Sequence, residues 1–215
     1  MIQKLYAQNK WLIFTAIVLV TLYFTWLMNA ALPFNRMIYN SLSDQLSANR
    51  IQKLIEGQQK WRWLSYALMP ILLIIKWFLV AVAIDVGAMF FEVELKFKKA
   101  FQIAMLSEMA FLLLLAVKFG WFFYNRDTLT LAYVQAFMPL SLSSFIDVSK
   151  IDKWFIYPLQ VINIFELIYW LLLAYFLGIE LKKPSGKAFQ FVLGTYGVGL
   201  LIWIIFMAFL ILNFS

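Results

Sequence analysis

Residues 63–90 read WLSYALMPILLIIKWFLVAVAIDVGAMF, an apolar run in which Lys76 and Asp85 are the only charged residues. The run is longer than the roughly 20 residues that a helix needs to cross the hydrocarbon core of a bilayer. It therefore predicts a transmembrane helix with enough length to tilt.

The composition of the whole chain agrees with this interpretation. Of its 215 residues, 64% are hydrophobic and 13% are charged, and the mean hydropathy is +0.83. A water-soluble domain carries about 25% charged residues, so this chain cannot present an ordinary solvated surface. It must contact lipid.

Four further apolar runs have a similar length. The predicted fold is all-α, a polytopic transmembrane helical bundle that forms one domain over residues 1–215. The predicted spans are residues 11–32, 63–90, 100–124, 154–179 and 188–212, with segments 34–62 and 125–153 on the exoplasmic side.

The first exoplasmic segment contains an amphipathic pattern. Ile51, Leu54 and Ile55 follow the i, i+3, i+4 spacing of one helix face, with Ser47 as an N-cap and Gly57 as a stop. The pattern predicts an amphipathic hairpin or a helix that lies in the membrane interface.

The second exoplasmic segment is ambiguous. Residues 128–146 are nearly all apolar but include Pro139 and a group of serines. As a full span they would give six crossings; otherwise they form a re-entrant or interfacial segment, which requires protein or water to satisfy its broken backbone.

Charge density favours five crossings. With five crossings, the dense basic turns lie on the same side of the membrane as the amino end. The positive-inside rule then predicts that this is the cytoplasmic side of the inner (plasma) membrane, with the carboxyl end on the exoplasmic side. These basic residues are Lys4, Lys10, Lys96, Lys98, Lys99, Lys182, Lys183 and Lys187. The opposite face has as many, spread over two long loops: Arg36, Arg50, Lys53, Lys60, Arg62, Arg126, Lys150 and Lys153.

A set of polar residues falls inside the predicted spans, where a charge costs roughly 2.5–3.5 kcal/mol at the bilayer centre and usually faces the bundle interior. One interpretation is a proton path, an ion path or a polar substrate site. The favoured interpretation is a buried pair between Lys76 and Glu166 that fixes helix register. The candidate intramembrane polar network comprises Lys76, Asp85, Glu108, Asn163 and Glu166.

Several kinds of chemistry are disfavoured. The sequence contains no His and no Cys, which are the commonest general base and metal ligand near neutral pH and the usual thiolate nucleophile. We therefore expect no catalytic, cofactor or metal site and no enzymatic activity. The net charge of +7 comes from basic groups beside apolar runs, which indicates anionic headgroups rather than nucleic acid.

Two stretches carry a family resemblance. The first is residues 97–115, FKKAFQIAMLSEMAFLLLL, and the second is residues 163–200, NIFELIYWLLLAYFLGIELKKPSGKAFQFVLGTYGVGL. Both resemble bacterial members of the Yip family of five-span membrane proteins. The resemblance implies five crossings, a cytoplasmic amino end, no enzymatic activity and action through protein partners.

These observations predict an accessory or scaffold subunit of a larger membrane complex, and the resemblance implies an export system as that complex. Its partners would be the lipid bilayer and other membrane proteins. The alternative is a small transporter or channel subunit that uses the intramembrane charges. The candidate partner-contact residues are Ile51, Leu54, Ile55 and Pro139.

Overall fold

A computed structural model describes residues 10–147 and 151–214, and every regular element in these ranges is helical. Lys4 and Lys150 lie outside the described residues. The α-helices are α1 (Lys10–Ala31), α2 (Phe34–Leu42), α3 (Ala48–Phe90), α4 (Phe97–Ser107), α5 (Met109–Tyr124), α6 (Leu131–Ala136), α7 (Lys153–Val161), α8 (Ile164–Glu180), α9 (Ser185–Val192) and α10 (Val198–Phe214). A 3-10 turn covers Leu142–Phe145 and a π-helical segment covers Leu193–Gly197.

Four helical stretches are long and apolar enough to cross a membrane. They are Lys10–Ala31, Ala48–Phe90, Phe97–Tyr124 and Ser185–Phe214. The predicted all-α class is therefore confirmed, and these four stretches are compatible with a multi-pass membrane protein. The predicted span at residues 154–179 is not a continuous helix, because it is broken between α7 and α8.

The predicted stop at Gly57 is wrong. α3 begins after Ser47, as expected of an N-cap position, but continues through Gly57 and Pro70 to Phe90. A glycine inside a helix costs only about 1 kcal/mol. Packing of Ile51 and Ile55 against Ile38 of α2 outweighs that cost.

The break between α7 and α8 is paired with the preceding loop. The Leu142 amide donates to the Ile162 carbonyl at 3.0 Å, and the Ile164 amide donates to the Leu140 carbonyl at 3.1 Å. These bonds satisfy backbone groups that the broken helix leaves open. The longest helix within residues 128–146 is α6, which has six residues. A membrane span needs roughly 20 residues.

The core lies where α3, α4, α8 and α9 meet. Two glycines let α3 approach the last long helical stretch: a Cβ on Gly87 would collide with Thr195, and a Cβ on Gly199 would lie 2.9 Å from Ala83. At the edge of the bundle, α10 has no buried residue. The fold thus places α3, α4, α5, α8 and the π-helical segment around one interior region.

Candidate functional site

Glu108 is the only charged residue that is buried among the described residues. It occupies the junction between α4 and α5, where its amide bonds back three residues to Met105 instead of four. Its Oε1 accepts a hydrogen bond from Lys76 Nζ at 2.8 Å, and its Oε2 accepts one from Trp77 Nε1 at 2.9 Å. Two consecutive residues of α3 therefore satisfy both carboxylate oxygens.

Aromatic rings complete the surroundings of Lys76. Its Nζ lies 3.5 Å from the ring centroid of Phe111 and 5.4 Å from that of Tyr169. Ring faces attract a cation, more strongly when it is desolvated. The Lys76 side chain keeps 35% of its exposure, whereas the Glu108 side chain keeps 5%.

The predicted pair of Lys76 with Glu166 is wrong, because the ion-pair partner of Lys76 is Glu108. Glu166 instead accepts two neutral hydrogen bonds on Oε1. Trp170 Nε1 donates at 2.8 Å from one turn along α8, and Tyr196 Oη donates at 2.7 Å from the π-helical segment. The two carboxylates are thus stabilised by different partners.

Tyr169 connects the two carboxylate sites. Its ring is fully buried and packs against Phe111 at 5.1 Å and against Tyr196 at 5.3 Å between centroids. Phe111 contacts Lys76 on one side, and Tyr196 binds Glu166 on the other. We name Lys76, Trp77, Glu108, Phe111, Glu166, Tyr169, Trp170 and Tyr196 the polar–aromatic cluster.

Asn163 has a structural role at the start of α8. Its Oδ1 accepts from the Glu166 amide at 2.8 Å, and its Nδ2 donates to the carbonyls of Gln160 and Val161. This is the geometry of an N-cap residue, which is worth about 1 kcal/mol. Asn163 therefore shapes the break instead of contacting the Glu166 carboxylate.

Asp85 stands apart from the cluster. It is half-buried on α3, and its carboxylate makes no hydrogen bond or ion pair with another described residue. The structure brings together Lys76 and Glu108 directly, and Glu166 through Tyr169 and its neighbours. It leaves Asp85 outside.

The candidate contact residues are mostly interior. Ile51 is 1% exposed and Ile55 is 7% exposed in a small cluster with Ile38, and Pro139 is buried as well. Assigning Ile51, Ile55 and Pro139 to a contact surface was wrong, because the chain covers them itself. Leu54, at 47% exposure, is the one that faces outward.

The sequence interpretation missed the aromatic members of the cluster. The spacing of Glu166 and Trp170, one helical turn apart, was a readable signal for their hydrogen bond. Trp77 and Tyr196 gave no such signal, because their acceptors lie 31 and 30 residues away in sequence.

The cluster has limited chemical capacity. The described residues contain no group of three acidic, His or Cys side chains that could hold a metal ion. What the cluster offers is two carboxylates and one ammonium group inside the bundle, each with a partner. Such an arrangement can fix helix register or hold a proton.

Three helical irregularities surround the cluster: the junction at Glu108, the break before Asn163 and the π-helical segment that carries Tyr196. Irregular helices at membrane depth often accompany functional sites. Comparisons with protein-family models, curated proteins and solved structures found no match to this chain. The resemblance to the Yip family thus stays a prediction.

Proposed function

We propose that this protein is a non-enzymatic accessory or scaffold subunit of a larger membrane complex, such as an export system. It would cross the inner membrane five times, with α7 and α8 together forming the fourth, broken crossing. The amino end and the turn between α8 and α9 would be cytoplasmic, and the carboxyl end exoplasmic. The density of basic residues beside the spans supports this orientation.

The observation that carries the proposal is an exposed apolar segment whose only regular structure is the four-residue 3-10 turn. Between α6 and α7, Phe145 is 80% exposed and Leu140 is 58% exposed. Irregular backbone does not face lipid within the hydrocarbon region, so protein must cover such a segment unless it lies at the headgroup level. The contact surface we propose consists of Leu54, Leu140, Leu142, Phe145 and Ile146.

The polar–aromatic cluster supports a non-enzymatic role. Lys76 and Glu108 form an ion pair with each other, and the Glu166 carboxylate accepts hydrogen bonds from Trp170 and Tyr196. A catalytic acid or nucleophile needs access to a substrate. Here the paired groups hold α3, α5, α8 and the π-helical segment in register.

A photo-crosslinking residue at Phe145 tests the proposal in native membranes. We expect the photoreactive residue at this position to crosslink to a defined membrane protein. The matched control is the same substitution at Leu72, which is 61% exposed in the apolar middle of α3 and should contact lipid alone. Mass spectrometry of the crosslinked product identifies the partner.

Two results would contradict the proposal. One is crosslinking of Phe145 to lipid alone, which indicates that the segment lies flat in the headgroup layer. The other is solute transport by the purified protein in liposomes without any partner.

The helix irregularities around the cluster favour a second candidate, a small transporter or channel subunit. Broken helices beside intramembrane carboxylates are found where transporters hold ions. In that case Glu108→Gln and Glu166→Gln should each abolish flux into liposomes, while Asp85→Asn, outside the cluster, should not. Equal flux in all three variants would exclude the cluster as the path.

A further inference from the structure

A groove opens between the end of α1, the start of α2 and the first third of α3. Its volume is about 570 Å³. Leu32, Pro33 and Phe34 provide its apolar part, and the polar part consists of Asn29, Asn35, Arg36, Gln59 and Arg62. Two guanidinium groups and three amides thus share one opening, with no acidic side chain among the lining residues.

The two arginines have no partner within the described chain. Neither the Arg36 nor the Arg62 side chain forms an ion pair or hydrogen bond with another described residue. A guanidinium group presents its donors in a planar fork that matches the oxygens of a phosphate. Two unpaired forks at one groove therefore favour a phosphate ligand.

Neighbouring tryptophans indicate the depth of the groove. Trp61 and Trp63, which flank Arg62 on α3, are 59% and 61% exposed, and Trp26 of α1 is 56% exposed. Exposed tryptophans gather at the headgroup level of a membrane. The groove consequently lies at the level of the lipid phosphates.

We propose that this groove binds the phosphate of an anionic membrane phospholipid, through Arg36 and Arg62. The amides of Asn35 and Gln59 would bind the remainder of a hydroxylated headgroup such as glycerol. A choline headgroup fits poorly, because two guanidinium groups repel its cation and the lining supplies no carboxylate.

Native mass spectrometry of the protein released from nanodiscs tests this site. The nanodiscs contain equal amounts of phosphatidylglycerol and phosphatidylcholine with identical acyl chains. We expect one retained phosphatidylglycerol. The double variant, Arg36→Gln with Arg62→Gln, lacks both cations and should retain phosphatidylglycerol with about 30-fold lower affinity. Each basic residue near an anionic lipid raises the affinity by about a factor of five.

Arg50→Gln is the matched control, because Arg50 is an exposed arginine of the same α3 helix that does not line the groove. It should retain the lipid as the wild type does. The double lysine variant, Arg36→Lys with Arg62→Lys, keeps the charge but loses the forks and should give intermediate retention.

Three outcomes would overturn the assignment. Equal retention of phosphatidylcholine would show that the headgroup charge is not recognised. An equal effect of Arg50→Gln would indicate diffuse attraction instead of a site. Displacement of the lipid by excess inorganic phosphate would identify free phosphate as the ligand.

Discussion

At the residue scale, an interior position for the charged members of the polar–aromatic cluster was predictable, but their pairing was not. Lys76, Glu108 and Glu166 were recognisable as interior groups because an exposed charge in lipid is costly. Which two would meet depends on helix rotation, and a rotation of one residue moves a side chain by about 100° around the axis. The structure pairs Lys76 with Glu108 and leaves Glu166 to neutral donors.

This pairing predicts non-additive effects on stability. Lys76→Met and Glu108→Gln should each destabilise the protein by about 3 kcal/mol. This value is the lower end of the range for removing one partner of a buried ion pair, because the Lys76 side chain is partly exposed. The double variant should lose well under the sum, because neither charge is left without its partner. Unfolding titrations in detergent measure all three.

Glu166→Gln provides the matched control for that cycle. The double-mutant cycle of Glu166→Gln with Lys76→Met should give a smaller coupling free energy than the cycle of Glu108→Gln with Lys76→Met. The reason is that Glu166 forms no ion pair with Lys76. A larger coupling for Glu166 would restore the pair predicted from the sequence.

At the element scale, the long apolar helices could be predicted because length and hydropathy alone identify them. The break before Asn163 could not, because it depends on pairing of Ile162 and Ile164 with a loop about twenty residues earlier. The continuity of α3 through Gly57 was missed for a similar reason. Tertiary packing by Ile38 overrode a local stop signal.

Glycine substitutions in α3 test the close helix packing. Gly87→Ala should destabilise the protein by about 1–3 kcal/mol, since the new Cβ would overlap Thr195. Gly57→Ala, in the same helix with nothing within 4 Å of the new Cβ, should stabilise it by roughly 0.4–1 kcal/mol. Thermal unfolding in detergent compares the two; equal effects would mean that α3 does not approach Thr195.

At the scale of the whole molecule, the bundle has two kinds of surface. The helices expose apolar faces that suit lipid, and α10 buries none of its residues. The Leu140–Ile146 segment exposes apolar side chains on irregular backbone, which suits a protein partner better. Its assignment to the exoplasmic side, and hence the proposed contact, depends on the number of crossings.

Cysteine labelling measures that number most directly, because the chain has no native Cys to remove. Five exposed positions suit single cysteines: three in connecting segments, one in the first turn of α4 and one near the end of α10. They are Ser43, Arg126, Lys183, Lys98 and Asn213. With five crossings, an impermeant maleimide should label Ser43→Cys, Arg126→Cys and Asn213→Cys in intact cells, and Lys98→Cys and Lys183→Cys only after permeabilisation. Labelling of Lys98→Cys and Lys183→Cys from opposite sides, or of Lys183→Cys and Asn213→Cys from the same side, would contradict the five-span account.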